Sequence, residues 1–286
     1  MNTEQRVIEL EKRVTELEKR ISESRTNSSA TALIETNSQI LKLELDKLAA
    51  KLDFVDRPQF FIGASSITST DISGLFESES AAAVKIFEHP YQIRPNGFAP
   101  FISQQRSTIV DGMARELLFS SQGRRIIRTG EFSVLFRGDD DFLGWAMRGG
   151  GWPIPEKQLE SPWQINSLVL IEATYCSVVL AKQLLQQGKP KPNMIQYVIG
   201  YKNLLWNGRG PKLLDGKADQ QLQLRQRVPT DVGDCFFSVV ADDEEPEART
   251  AFRLVAEIYH LFHLVDDRIP YSKVDDSRRI IDIAQI

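Results

Sequence analysis

An aspartate cluster, Asp139, Asp140 and Asp141, is the first group in this sequence whose side chains could support chemistry. Carboxylates that follow a strand can bind the Mg²⁺ used by phosphodiesterases and nucleases. Adjacent carboxylates seldom all reach one ion, however, and such a cluster is also typical of a solvated turn. Asp139 and Asp141 therefore have two interpretations, a set of metal ligands and an exposed turn, and we favour the turn.

Two histidines on a predicted helix form the second group. His260 and His263 lie about one turn apart and Asp267 lies about one turn further on, so two imidazoles and a carboxylate can share one face. That arrangement is suited to a transition metal. His260 and Asp267 also continue the polar strip of a helix whose other faces are apolar, and this solvated strip is the simpler interpretation. We predict no cofactor.

Three arginines, Arg124, Arg125 and Arg128, form a basic stretch between two predicted strands. Clustered guanidinium groups can bind the phosphates of nucleic acids. The chain as a whole has 35 Lys and Arg against 39 Asp and Glu, a formal net charge of −4, so its bulk electrostatics do not attract nucleic acid or an anionic membrane. The alternative, which we favour, is strand-edge charge that discourages aggregation.

Other signals of catalysis are weak. Glycines 149–151 stand without the lysine of a phosphate-binding loop, and no Gly-x-Ser-x-Gly sequence predicts a nucleophile. Cys176 and Cys235 lie in apolar runs, which favours a reducing compartment over a disulfide framework. The N-terminus lacks the apolar core of a signal peptide, and no uninterrupted apolar run reaches the ~18 residues of a membrane span. We expect a cytoplasmic protein with no membrane partner.

The clearest periodic pattern lies at the N-terminus. Apolar residues recur with 3-4-3-4 spacing at Val7, Leu10, Val14, Leu17 and Ile21. β-Branched residues at a and leucine at d favour a parallel two-stranded coiled coil, with arginines at g facing glutamates at e of the second copy. We predict a homo-oligomer formed through this coiled coil. Roughly two and a half heptads support the pattern, so a helix that folds back on its own body, or one that binds another protein, is the alternative.

A second predicted helix follows a break of small polar residues at 22–31. Its apolar residues restore a heptad-like stripe in a different phase, at Ile34, Leu41, Leu45, Leu48, Leu52 and Val55. The change of phase indicates two helical pieces rather than one rod. We divide the chain into a coiled-coil or helical oligomerisation segment over residues 1–56 and a globular α/β domain over residues 57–286.

The longest apolar unit of the globular part spans residues 165–206. Asn166 or Ser167 is placed to cap a helix, and Gly188 is placed for a left-handed C-cap. Apolar residues line two faces of this helix, which predicts that it packs on more than one side. After a Gly/Pro turn, residues 194–201 are typical of a buried strand.

The remaining apolar runs alternate with periodic helices, which predicts an α/β or α+β body. A mixed sheet would be covered by helices at 167–187 and 247–265, and a weaker helix is predicted at 275–286. The other predicted strands are 59–63, 116–120, 132–136, 222–228 and 235–240.

Four stretches taken together resemble a bacterial accessory domain. They are residues 93–98 (IRPNGF), 132–140 (FSVLFRGDD), 188–206 and 252–276. The resemblance is to the poorly characterised C-terminal domain that follows Schlafen-type AlbA domains, modules associated with DNA binding or cleavage, in some multidomain bacterial proteins. It covers about residues 88–282 of this chain.

The Schlafen-like module itself has no counterpart that we find in this sequence, since a coiled coil and a short connector stand in its place. The resemblance therefore transfers no catalytic residues, and it implies an accessory role in bacterial defence or regulation. We predict a non-catalytic, oligomeric accessory or scaffold protein whose C-terminal domain recognises a partner or ligand. A nucleic-acid-binding sensor and a metal-dependent nuclease or phosphodiesterase are the alternatives.

Overall fold

A computed structural model describes residues 31–77, 82–94, 106–119, 122–137, 164–204, 211–214, 225–227 and 233–286. The predicted coiled coil from Val7 to Ile21 lies outside the described residues, as do Asp139 and Asp141. The predictions on those residues stay predictions.

A seven-stranded sheet forms the middle of the body. The strands described in the chain are β1 (Gln59–Ser66), β2 (Thr108–Val110), β3 (Ala114–Leu118), β4 (Gln122–Ile127), β5 (Glu131–Arg137), β6 (Gln164–Asn166), β7 (Met194–Lys202), β8 (Lys212–Leu214), β9 (Arg225–Arg227), β10 (Cys235–Asp242), β11 (Ser272–Asp275) and β12 (Arg278–Ile281). The large sheet has the order β10-β7-β1-β5-β4-β3-β2, and each neighbouring pair in it is antiparallel. Two small sheets, β6-β8-β9 and β11-β12, accompany it.

Helices cover both faces of the large sheet. They are α1 (31–52), α2 (Gly74–Glu77), α3 (Ala82–Glu88), α4 (Ser167–Leu185) and α5 (Glu247–Leu261). The apolar residues of α3, α4 and α5 share one core with one face of the sheet, and α1 forms a second core on the opposite face. The body is therefore a three-layer arrangement with the sheet in the middle.

The central strand β1 explains why both faces need a cover. Successive side chains of a strand point to opposite faces, and β1 is buried along its whole length. Phe60 lies in the α4 core, with its ring centroid 5.1 Å from that of Tyr201. Phe61 lies in the α1 core, where its ring centroid is 4.7 Å from that of Phe236. A strand that is buried along its length, with phenylalanines on both faces, needs an apolar layer on each side.

Helix α4 is the core helix that the sequence predicts, and Asn166 is its cap. The Asn166 side chain accepts a hydrogen bond from the backbone N–H of Leu168 at 2.9 Å. By length and mean hydropathy α4 could also cross a membrane, although no such segment was expected from the sequence. In this body 94% of the most apolar 18-residue stretch of α4 is buried, as expected for a core helix.

Gly188 does not adopt the left-handed conformation that we predicted for it, since the described residues with positive φ do not include it. A Cβ at this position would lie 2.1 Å from the Thr70 hydroxyl. Close approach to a neighbouring segment, rather than backbone conformation, is therefore the reason for a glycine here.

The combination of helices and strands is confirmed, but the large sheet is antiparallel rather than mixed. Strands β2 to β5 are joined by short hairpins, which makes neighbours antiparallel. Among the described strands the parallel pair is β6 with β8, in a small sheet.

The terminal helix predicted at 275–286 is wrong. Strand β12 pairs there with β11, and Asp276 and Ser277 have φ of 43° and 64°. Positive φ at both central residues is the geometry of a tight hairpin turn, so the chain reverses at the point where we had predicted that a helix begins.

Helix α1 belongs to the body. Leu41, Leu45 and Leu48 are buried against sheet residues that include Leu135 and Val198. Spacings of three and four residues define one face of a helix, and such a face can pack on a sheet as well as on another helix. The second stripe, which we had placed in the oligomerisation segment 1–56, thus has its apolar partner within the chain.

Candidate functional site

The three arginines of the predicted basic patch do not face one groove. In β4, Arg124 points towards α3, where it donates to the Glu88 carbonyl at 3.0 Å and lies over the ring of Phe87. Arg125 points to the opposite face, towards α1. Alternation along a strand separates neighbouring side chains, and burial lowers the pKa of Arg124 to about 9.

Arg125 and Arg128 each pair with carboxylates. Arg125 donates to Glu44 of α1 at 2.6 Å and also pairs with Glu116 of β3. Arg128 pairs with Asp71 at 3.2 Å on the surface, where both side chains are exposed. The predicted patch of Arg124, Arg125 and Arg128 is therefore divided among two faces and one end of the sheet.

The predicted histidine site is not assembled either. His260 Nε2 lies 2.8 Å from an oxygen of Asp266, whereas Asp267 pairs with Arg279. A shared face for these residues requires helical geometry as far as residue 267, whereas α5 ends at Leu261, before the predicted end at 265, and His263 has a φ of 59°. Within the part of the chain that the structure describes, no group of three or more His, Cys, Asp or Glu could hold a metal ion.

The structure does bring together a polar cluster that the sequence reasoning missed. Glu172, on α4, has a relative exposure of 0%. Arg94 donates to it through Nε at 2.7 Å and through Nη2 at 3.0 Å. Two parallel charge-assisted hydrogen bonds fix both side chains and are among the stronger contacts that proteins form.

Three tyrosines accompany this pair. The ring of Tyr91 meets that of Tyr175 edge to face, with centroids 6.1 Å apart. Tyr271 is close enough to Arg94 to interact with its charge. We call Tyr91, Arg94, Glu172, Tyr175 and Tyr271 the Arg94 site.

Helix α4 positions the Arg94 site. Glu172, Tyr175 and Cys176 lie at spacings of three and four residues and so share one helix face. The backbone N–H of Ile93 interacts with the Cys176 sulfur, beside the contact between Arg94 and Glu172. One face of α4 therefore fixes residues 91–94 at successive points.

The protonation states of the Arg94 site are set by its geometry. The hydrogen bonds with Glu172 raise the pKa of Arg94 above its ordinary value, with smaller contributions from the charge of Glu172 and from Tyr271. Burial raises the pKa of Tyr175 to about 12. A guanidinium that stays charged and a phenol that stays neutral suit hydrogen-bonded recognition better than proton transfer near neutral pH.

The two cysteines are likewise held in one protonation state. Burial raises the pKa of Cys176 to about 12 and that of Cys235 to about 11. The thiolate is the reactive form of cysteine, so both side chains act as small apolar groups at neutral pH.

Two sequence signals pointed to the Arg94 site. Glu172 is the one charged residue between Ser167 and Ala181, on a helix that is otherwise apolar, and a lone charge in such a helix needs a partner. Arg94 belongs to the first stretch of the resemblance and Tyr271 to the last. The separation of Arg94 and Glu172 by 78 residues hid the pairing itself.

Comparison with protein-family models, with curated proteins and with solved structures gives no match.

Proposed function

We propose that this protein is a non-catalytic, oligomeric accessory or scaffold subunit whose body recognises a partner or ligand. The observation that carries the proposal is how the charged candidates for chemistry are used. Arg124 contacts α3 and the ring of Phe87, and Arg125 contacts α1 and β3. Each of these groups joins elements of the body, which is a structural task rather than a catalytic one.

Self-association is proposed to run through residues 5–21. The support is the a/d pattern of that segment, together with its short connection to α1, which the sheet anchors through Leu41, Leu45 and Leu48. A coiled coil attached to an anchored helix would join two bodies through a short connector.

The accessory role rests further on the resemblance to the domain that follows Schlafen-type AlbA domains. That resemblance covers a region outside the module associated with nucleic acids. It supports a cytoplasmic role in bacterial defence or regulation, in which recognition belongs to the body and assembly to the N-terminus.

The test of assembly is the mass of the protein in solution. Light scattering during size-exclusion chromatography at micromolar concentration is expected to give a dimer for the wild type. Leu17→Lys is expected to give a monomer, because a buried lysine at d disrupts the seam. Thr15→Lys, which adds the same charge at an outward b position, is the matched control and is expected to stay dimeric.

Two outcomes would contradict this proposal. A monomeric wild type, or a Leu17→Lys variant that keeps the wild-type mass, would exclude assembly through residues 5–21. Metal-dependent cleavage of DNA or RNA that Asp139→Ala abolishes would replace the scaffold with an enzyme. Nucleic-acid binding measured at two salt concentrations distinguishes the sensor, which would bind tightly and salt-sensitively without cleavage.

A further inference from the structure

Burying the Glu172 carboxylate costs solvation free energy that an apolar residue at the same position would not cost. A carboxylate loses its hydration when it is fully buried, and an ion pair of this kind is often no more stabilising than apolar residues of similar volume. The neighbours of Glu172 along α4, Ile171 and Ala173, are fully buried apolar residues. The pair with Arg94 therefore calls for a role other than stability, and the orientation of Arg94 is the property that Glu172 controls.

The geometry of the pair leaves one end of Arg94 in place for a second contact. A guanidinium carries five N–H donors in a fixed planar fork. Glu172 takes the edge formed by Nε and Nη2, and the end formed by Nη1 and Nη2 has two further parallel N–H groups. The Arg94 side chain is 32% exposed, while its carboxylate partner is fully buried, so solvent reaches the arginine and not the glutamate.

Tyrosine side chains accompany the ion pair, with Tyr91 exposed and Tyr175 and Tyr271 buried. Tyr91 is 42% exposed and packs against Tyr175, and Tyr271 lies near Arg94. Tyrosine and arginine are the residues enriched where proteins bind partners tightly, since each combines a rigid contact surface with hydrogen-bond donors. The exposed Tyr91 ring and the Arg94 guanidinium thus lie on one short segment that contacts with α4 hold in place.

We propose that the Arg94 site binds an oxyanion, a phosphate or carboxylate group, of the ligand or partner that the body recognises. The Nη1/Nη2 end of Arg94 donates two parallel hydrogen bonds to the anion, the geometry by which arginine binds both groups. Glu172 is a positioning residue that holds the guanidinium plane, and Tyr91 presents an exposed ring on the same segment. This assignment rests on the proposed function in one respect, that recognition belongs to the body.

The experiment follows by NMR the arginine Nε–Hε signals of the full-length protein, together with the backbone amide signals of residues 91–94, which remain in variants that lack Arg94. Inorganic phosphate is added in one titration and acetate in another, both at constant ionic strength. The expected result is a saturable shift of the Arg94 signal at millimolar anion. A response to phosphate alone, to acetate alone or to both supports the site and identifies the group that it prefers.

Arg94→Lys keeps the charge but removes the planar fork, so it is expected to weaken binding by about tenfold or more. Arg128→Lys is the matched control, because Arg128 also pairs with a carboxylate but lies exposed elsewhere on the surface. If Arg94→Lys does not fold, the double variant Arg94→Met with Glu172→Met removes the pair without leaving a buried charge. It is expected to unfold cooperatively and to bind neither anion.

The assignment would be overturned if the Arg94 signal does not shift saturably. It would also be overturned if the Arg128 signal shifts as much as the Arg94 signal, because both results show unspecific ion association only. Unchanged binding in Arg94→Lys or in the double variant would do the same. The mass measured with Leu17→Lys is independent of these titrations. If the protein is a dimer but shows no saturable shift, only the oxyanion site is excluded. If it is a monomer that shows the shift, only the proposed assembly is excluded.

Discussion

At the scale of single residues, burial decides how charge is used. Arg125 is 11% exposed and lies between two nearly buried carboxylates, Glu44 and Glu116. Lys51 adds a contact with Glu116 at 2.7 Å. Removing one partner of a buried ion pair typically destabilises a protein by about 3–5 kcal/mol, because the other charge is left without compensation. This network therefore ties α1 to β3 and β4.

The first prediction concerns Cys176 and the dependence of stability on pH. Burial raises its pKa from 9.0 to about 12 in the folded protein. As pH rises above 9.0, the thiol of the unfolded chain ionises first, so this contribution to stability is complete below 9.0 and is lost towards about 12. The expected loss is roughly 1 kcal/mol per pH unit in that window.

Urea unfolding, measured at neutral pH and at a pH inside that window, checks this prediction. The free energy of unfolding should fall further for the wild type than for Cys176→Ala. Comparing each protein with itself at the two pH values cancels the cavity that the substitution creates. An equal fall in both proteins would mean that the Cys176 thiol is not buried as described.

At the scale of elements, α1 shows how one helix separates its faces. Leu45 has 1% relative exposure in the core against the sheet, whereas Leu43 has 54%. The two leucines differ in surroundings and not in chemistry, so they form a matched pair for testing whether α1 packs on the body.

The second prediction is that Leu45→Ala destabilises the protein by about 2–5 kcal/mol. Leu43→Ala is expected to stay within about 0.5 kcal/mol of the wild type, because an exposed side chain leaves no cavity. Denaturant unfolding at one temperature gives both values. Similar effects of the two substitutions would show that α1 does not lie on the sheet.

At the scale of the whole molecule, the centre of the sheet combines distant parts of the chain. Strand β1 pairs with β5 on one side and with β7 on the other, and β7 pairs with β10. Helix α1 covers this centre from one face. Removing α1 would expose Phe61, Leu135 and Val198 together, and the apolar area thus exposed opposes folding.

The third prediction separates assembly from folding by deletion. A protein without residues 1–30 keeps α1, so it is expected to be a monomer with nearly the unfolding midpoint of the wild type. A protein without residues 1–56 is expected to be largely unfolded or aggregated. Circular dichroism and light scattering report the two properties separately. A stable, cooperatively folded protein from the longer deletion would support the boundary at residue 56 that we predicted from the sequence.

Local patterns in the sequence determined several elements of this protein. Apolar periodicity predicted α4 and α5. An apolar run that lies between turn residues predicted β7. The polar side chain of Asn166 marked the start of α4. These features depend on residues within a few positions of one another, because capping and periodicity are properties of one segment.

Tertiary structure decided the rest. The sequence shows that Arg124 and Arg125 are adjacent, but only the sheet, with α3 on one face and α1 on the other, sends them to different partners. It shows a lone charge at Glu172, but only the packed body brings Arg94 to it across 78 residues. The physical reason is that a buried charge is stabilised by whichever partner the fold brings within hydrogen-bonding distance, and the pattern around the charge carries no information about that partner's position.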